Sequence, residues 1–199
     1  MSLVGLSTEE MQSTIKNELN KGKADIRLVL SDDVTNDDMD AIKSALEYAK
    51  DANINLTIMG LKKVGKFALA GIPNIKSLKL TDTEEIGEYA ISDNETLQVF
   101  EAPKLRTIYS GAFVNCPCLQ TLRFGPIEYA EEFNSPIFDN EIDYKIDLIL
   151  SSDQKELKED RNGSLWEASQ TPYADSYDHN TKHFINNYFK SIICGHSKH

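Results

Sequence analysis

The chain has 199 residues, of which 40% are hydrophobic and 27% charged, the balance of a folded domain rather than a disordered one. Its formal charge of −11 argues against a nucleic-acid partner, because counterion release rewards basic surfaces. No run of about 18 apolar residues occurs, so no membrane-spanning helix is expected.

Met1-Ser2-Leu3-Val4-Gly5-Leu6 has neither a basic stretch nor a long apolar one, and is not read as a signal peptide. Ser7-Thr8-Glu9-Glu10 has the form of a capping box and predicts a helix with Met11, Ile15 and Leu19 on one face, closed at Gly22. Ile26, Leu28 and Leu30 alternate and predict a first strand. Thr35 is the expected N-cap of a second helix that turns Met39, Ile42, Leu46 and Ala49 inward.

An internal repeat follows. Leu56-Thr57-Ile58, Leu78-Lys79-Leu80, Phe100-Glu101-Ala102 and Leu122-Arg123-Phe124 succeed one another at 22 residues without a gap. Val64, Ile86, Ile108 and Ala130 keep the same step, as do Ile75, Leu97 and Leu119. So do Ala68, Ala90 and Ala112, and their neighbours Leu69, Ile91 and Phe113. In each strand the outer two residues of the triplet point into a core and the middle one points out. A single rung cannot bury its apolar side, but stacked rungs build a continuous core behind a parallel sheet. Gly65 and Gly87 are expected at a bend that crowds a side chain or needs positive φ.

The end units are longer. Leu28 to Leu56 spans 28 residues, and Ile146, Leu148 and Leu150 form a strand 26 residues beyond Leu122 and Phe124, giving about six strands in all. Beyond Leu150 a short helix is expected over Asp153–Asp160, capped by Ser151 or Ser152. A polar stretch over Arg161–Asp178, a last helix over Asn180–Tyr188 and a final apolar segment over Phe189–Ile193 follow. The predicted fold class is an α/β repeat solenoid with a helical N-terminal cap and an irregular C-terminal cap. Its parts are residues 1–53 (cap and first long rung), 54–150 (the 22-residue repeats) and 151–199 (an acidic cap).

The segment Leu105 to Leu122 carries a more specific pattern: Ile108, Ala112 and Phe113, then Cys116, Leu119 and Leu122. It resembles the unit of BspA-type leucine-rich repeats, which pair I-x-x-x-A-F with a following C-x-x-L-x-x-[LI]. The preceding rungs depart from it, with Asn94 and Ile72 in the cysteine position and Ile91 for the aromatic. The resemblance covers residues 54–126 well and 127–150 loosely. It implies a cell-surface or secreted leucine-rich-repeat protein acting in adhesion or in host and matrix interaction. It implies no catalytic motif and no cofactor.

The remaining motifs yield little chemistry. Gly60 to Phe67 nearly spells G-x-x-x-x-G-K-[ST], but Phe67 replaces the hydroxyl that would hold Mg²⁺, and the repeat already accounts for Val64, Gly65 and Phe67. Cys116, Cys118 and Cys194 form neither a disulfide framework nor a zinc site, and Cys116 is expected to be buried. His179 and His183 stand at helical spacing without the H-E-x-x-H that would make them a metal motif. Between Ile127 and Asn180 fourteen acidic residues face four basic ones, with no calcium-loop spacing among them. Glycosylation sequons occur at Asn55, Asn94 and Asn162.

No enzyme is therefore expected, and a hydrolytic site in the tail is the weakest reading. The expected binding surface is the outward, concave face of the sheet, where Thr57, Lys79, Glu101 and Arg123 form one column and Asn55, Ser77, Val99 and Thr121 its neighbour. Ser77 and Thr121 join the first column as candidate contacts for a protein or glycan partner. The competing reading is an intracellular scaffold that binds through the acidic tail with Trp166, Tyr173 and Tyr177. The alternating Lys-Glu-Arg ladder is also what a merely solvated sheet would show.

Overall fold

A computed structural model describes residues 1–49, 53–130, 137 and 146–150, together with the backbone of 189–194. Helix α1 (Thr8–Asn20) starts as expected: the Ser7 N–H donates to Glu10 Oε2 at 2.8 Å, and the Glu10 N–H returns to Ser7 Oγ at 3.3 Å. Gly22 follows it with φ +74°, and its N–H caps the Leu19 carbonyl at 2.9 Å. Helix α2 (Asn36–Leu46) carries the same reciprocal box, between Thr35 and Asp38. Met11 and Ile15 of α1 and Met39, Ile42 and Leu46 of α2 are buried, while Leu19 and Ala49 pack at the margin.

Between the helices lies β1 (Asp25–Val29), and the chain then winds through β2 (Ile54–Met59), β4 (Ile75–Leu80), β6 (Val99–Ala102), β8 (Thr121–Phe124) and β10 (Ile146–Leu150). These six strands and a seventh, β11 (Phe189–Cys194), form one parallel sheet in the order of the chain. The last apolar segment of the sequence is thus a strand laid on β10. Met1 to Leu3 runs along the opposite edge, where the Leu3 N–H reaches the Val29 carbonyl at 2.9 Å and Ser2 bridges Val29 in parallel.

The four rungs that begin with β2, β4, β6 and β8 each also contribute a two-residue strand to a second parallel sheet: β3 (Lys63–Val64), β5 (Glu85–Ile86), β7 (Thr107–Ile108) and β9 (Tyr129–Ala130). The apolar columns of the sequence meet between the two sheets. Leu78, Leu80, Ile86, Ala90, Ile91, Ile108, Ala112 and Leu122 are all fully buried. Phe100, Phe113 and Phe124 form an aromatic cluster with centroids 4.9–6.2 Å apart, in the edge-on and tilted arrangements that ring quadrupoles favour.

Two expectations need correction. The first unit is longer than its strands suggest: Ile26 pairs with Leu56 and Leu28 with Ile58, a step of 30 residues rather than 28. A shift of two keeps every side chain on its own face, so alternation cannot choose between the two registers. The second concerns the bend. A Cβ at Gly87 would come within 3.0 Å of the Val64 carbonyl oxygen, but one at Gly65 would meet nothing within 4 Å, and neither glycine has positive φ. The left-handed residues lie two and six places further on. Phe67 (φ +57°), Tyr89 (+52°) and Gly111 (+70°) form one column, and Gly71 (+65°), Asp93 (+59°) and Asn115 (+55°) another. The 22-residue period is therefore a period of backbone conformation as well as of burial.

The expected helices over 153–160 and 180–188 lie outside the described residues, as do Trp166, Tyr173, Tyr177, the His179/His183 pair and the sequon at Asn162.

Candidate functional site

All the candidate residues fall on the outward face of the large sheet, and the strand register gathers them into two adjacent rows. One row runs Arg27, Thr57, Lys79, Glu101, Arg123, Ile149. The other runs Asp25, Asn55, Ser77, Val99, Thr121, Asp147. Arg27, Asp25, Asp147 and Ile149 extend the rows beyond what the 22-residue step alone predicts. The 30- and 26-residue end units that place them are not multiples of the repeat.

The rows are internally bonded. Lys79 Nζ stands 2.8 Å from one Glu101 carboxylate oxygen and Arg123 Nε 3.2 Å from the other, so one anion bridges two cations on the flanking strands. In the neighbouring row Asn55 Nδ2 donates to Asp25 Oδ1 and the Ser77 hydroxyl donates to Asn55 Oδ1, both at 2.8 Å. The charges separate by row. Arg27, Lys79 and Arg123 against Glu101 leave the first row cationic, while Asp25 and Asp147 make the second anionic. A cationic row is distinctive on a chain whose formal charge is −11. Neither row carries an aromatic side chain, the usual anchor of a binding hot spot.

The aromatic side chains lie elsewhere, beside the small sheet. Phe67 is 47% exposed, and its ring stacks on Tyr89 with centroids 5.3 Å apart and planes at 15°. A Cβ at Gly111 would lie 2.4–2.8 Å from the Tyr89 ring, which therefore rests on that glycine. Tyr109 and Tyr129 meet edge to face at 5.9 Å nearby in the chain. The left-handed backbone costs roughly 1–2 kcal/mol at each non-glycine residue, and an aromatic pair returns about 1. Phe67 and Tyr89 thus sit in a conformation that glycine adopts without cost at 111. Sequence reasoning assigned Phe67 to the repeat but did not mark it or Tyr89 as a surface, because positive φ leaves no trace in residue type when the residue is aromatic.

Charge pairs repeat with the rungs. Lys63–Glu85 (3.0 Å), Lys66–Glu88 (2.6 Å), Asp82–Lys104 (2.7 Å) and Arg106–Glu128 each join residues 22 apart. The Lys104 ammonium, the Gly60 N–H and the Thr81 hydroxyl hold the Asp82 carboxyl down from 3.8 to about 2. The near-miss phosphate motif is accounted for in the same way: the Gly60 N–H is given to Asp82 and the Lys66 ammonium to Glu88. Two of the sequons also resolve. Asn94 is fully buried, whereas Asn55 is exposed on the sheet.

A parallel sheet that advances one strand per rung, backed by short strands and tight left-handed turns, defines a leucine-rich-repeat solenoid. The family model of the BspA type leucine rich repeat region matches residues 43–145 in six copies, more than half of the 199 residues. The chain belongs to this family. No curated protein and no solved structure matches it. The family suggests a module for protein–protein interaction or adhesion, typically at the cell surface or secreted, and the solenoid fold is generally a non-catalytic binding scaffold. Among the described residues no helix is long and apolar enough to cross a membrane, and no three His, Cys, Asp or Glu gather as metal ligands.

Proposed function

We propose that this chain is a non-catalytic recognition module of a cell-surface or secreted protein. It takes a protein or glycan partner in adhesion or in host and matrix contact. The observation that carries this reading is the cationic outward row, Arg27, Lys79 and Arg123 around Glu101, presented in register by five neighbouring strands. Parallel strands lie about 4.8 Å apart, so the row offers charges at regular intervals to an extended acidic surface. Thr57, Ser77 and Thr121 supply hydroxyls alongside.

The test is binding of the purified chain to arrayed matrix proteins and glycans, compared with the Lys79→Glu/Arg123→Glu variant. Both changed side chains are about half exposed, but the reversal faces Glu101 with two like charges. Lys79→Gln/Arg123→Gln removes the cations without that repulsion, and is the variant expected to melt within a few degrees of the parent and to lose binding as well. Saturable binding that weakens with salt and falls roughly tenfold or more in both variants is expected. Binding that is equal in parent and variants would rule out the sheet face.

A further inference from the structure

We infer that Asn94 ties this chain to a folding compartment free of asparagine-linked glycosylation: it is an oligosaccharide acceptor in the unfolded chain whose modification blocks the fold. The inference rests neither on the sheet face nor on the choice of partner.

Asn94-Glu95-Thr96 is an acceptor sequence with no proline in its middle position. Transfer from a lipid-diphosphate oligosaccharide joins the anomeric carbon of the sugar to Asn94 Nδ2 and breaks the sugar–phosphate bond. Lipid diphosphate departs, and the amide gives up one of its two protons to solvent. A bulky, hydrated group then hangs on that nitrogen, a modification suited to a surface.

The folded rung leaves it no place. Asn94 is fully buried, and its amide donates to the Leu69 carbonyl at 2.9 Å and to the Ile91 carbonyl at 2.6 Å. Loss of either hydrogen leaves an interior carbonyl unpaired. The side chain cannot turn outward to relieve this, because Oδ1 accepts the Ile72 N–H at 2.8 Å. Thr96 is committed as well, its hydroxyl donating to the Ile75 carbonyl at 2.9 Å. These bonds tie one rung to the one before it, and a solenoid is only as stable as such interfaces.

The order of synthesis exposes the acceptor. Cys116 of the following rung shares the Ile91 carbonyl with Asn94, so the site is closed by a segment made after it. The fold does not demand an acceptor here, since Ile72 and Cys116 fill the same position in the neighbouring rungs. The sequon at Asn55 is the contrast. It lies exposed on β2 with Thr57 on the same outward face, so an oligosaccharide there extends into water.

The experiment expresses the full chain behind a cleavable secretion leader in glycosylating eukaryotic cells, beside Glu95→Pro and Asn94→Cys, and all three again in the bacterial cytosol. Pro73 and Pro117 hold the place of Glu95 in the rungs on either side. Glu95→Pro therefore destroys the acceptor, keeps Asn94 and its bonds, and should melt at or above the parent temperature when made in bacteria. Asn94→Cys repeats Cys116 one rung earlier and removes the acceptor a second way. Expected are a parent retained in the eukaryotic cells with oligosaccharide mapped to Asn94 by mass spectrometry, and both variants secreted in roughly tenfold or greater excess over it. A parent secreted as well as the variants, a retained parent bare at Asn94, or retention of all three would each overturn the inference. The readouts are secretion and glycan position rather than binding, so failure here is distinct from failure of the sheet face.

Discussion

Asn94 shows how much one residue position can hold. It occupies the place of Cys116 one rung earlier, and in sequence it looks like a departure from the repeat. In the fold both side chains do the same work. The Cys116 thiol donates to the Ile91 carbonyl at 3.2 Å. Asn94 Nδ2 donates to the carbonyls of Leu69 and Ile91 at 2.9 and 2.6 Å, and Asn94 Oδ1 accepts the Ile72 N–H at 2.8 Å. A buried amide with three bonds joins two rungs and stays satisfied. Asn94→Ala should cost about 2–3 kcal/mol, because the Ile72 N–H and two carbonyls lose their partner in a dry interior. Urea titration would measure it, and a loss under about 0.5 kcal/mol would contradict the assignment. The apolar character of this column was legible from Ile72 and Cys116. Its hydrogen-bonding role was not, since that depends on which backbone groups the turn leaves facing it.

At the scale of the element, each rung is tied to the next by polar contacts that share the repeat step. Asp82 in the turn after β4 is the clearest case. It receives Lys104 from the following rung and the Gly60 N–H from the preceding one. Gly60 itself is obligatory: its φ is +88°, and a Cβ would come within 2.1 Å of the Leu30 carbonyl oxygen. The Asp82 carboxyl is lowered from 3.8 to about 2, so the unfolded chain takes up its proton first as the solution is acidified. Its contribution is complete above about 3.8 and disappears as pH falls through about 2. The effect is modest, because a third of the side chain faces water. Thermal melts between about pH 5 and pH 2 should fall less steeply in Asp82→Asn than in the parent, and identical slopes would exclude this linkage. Such pairs were within reach of the sequence, since carrying the 22-residue step across the charged residues aligns Lys66 with Glu88 and Lys63 with Glu85. Which of them close to contact distance is set by side-chain direction.

Over the whole molecule the strands of the large sheet follow one another in chain order, so each rung touches mainly its neighbours. Stability in such an array is close to a sum over rungs and their interfaces. Removing residues 76–97 takes out one full step, joins Ile75 to Gln98 and lays β6 on β2 in the same register. The shortened chain should remain folded and cooperative by circular dichroism, whereas removal of half as many residues should abolish the transition. Loss of folding in both would refute rung-by-rung independence. The amino-acid sequence alone determined the period, the inward columns, both capped helices, the six strands and the outward rows, because each follows from burial repeated at a constant step. Only the tertiary structure decided the 30-residue first unit, the seventh strand, the small second sheet and the left-handed seats of Phe67 and Tyr89. A register shifted by two residues, an edge strand and a positive φ change which groups become neighbours without changing the pattern of polar and apolar residues, so only the assembled rungs reveal them.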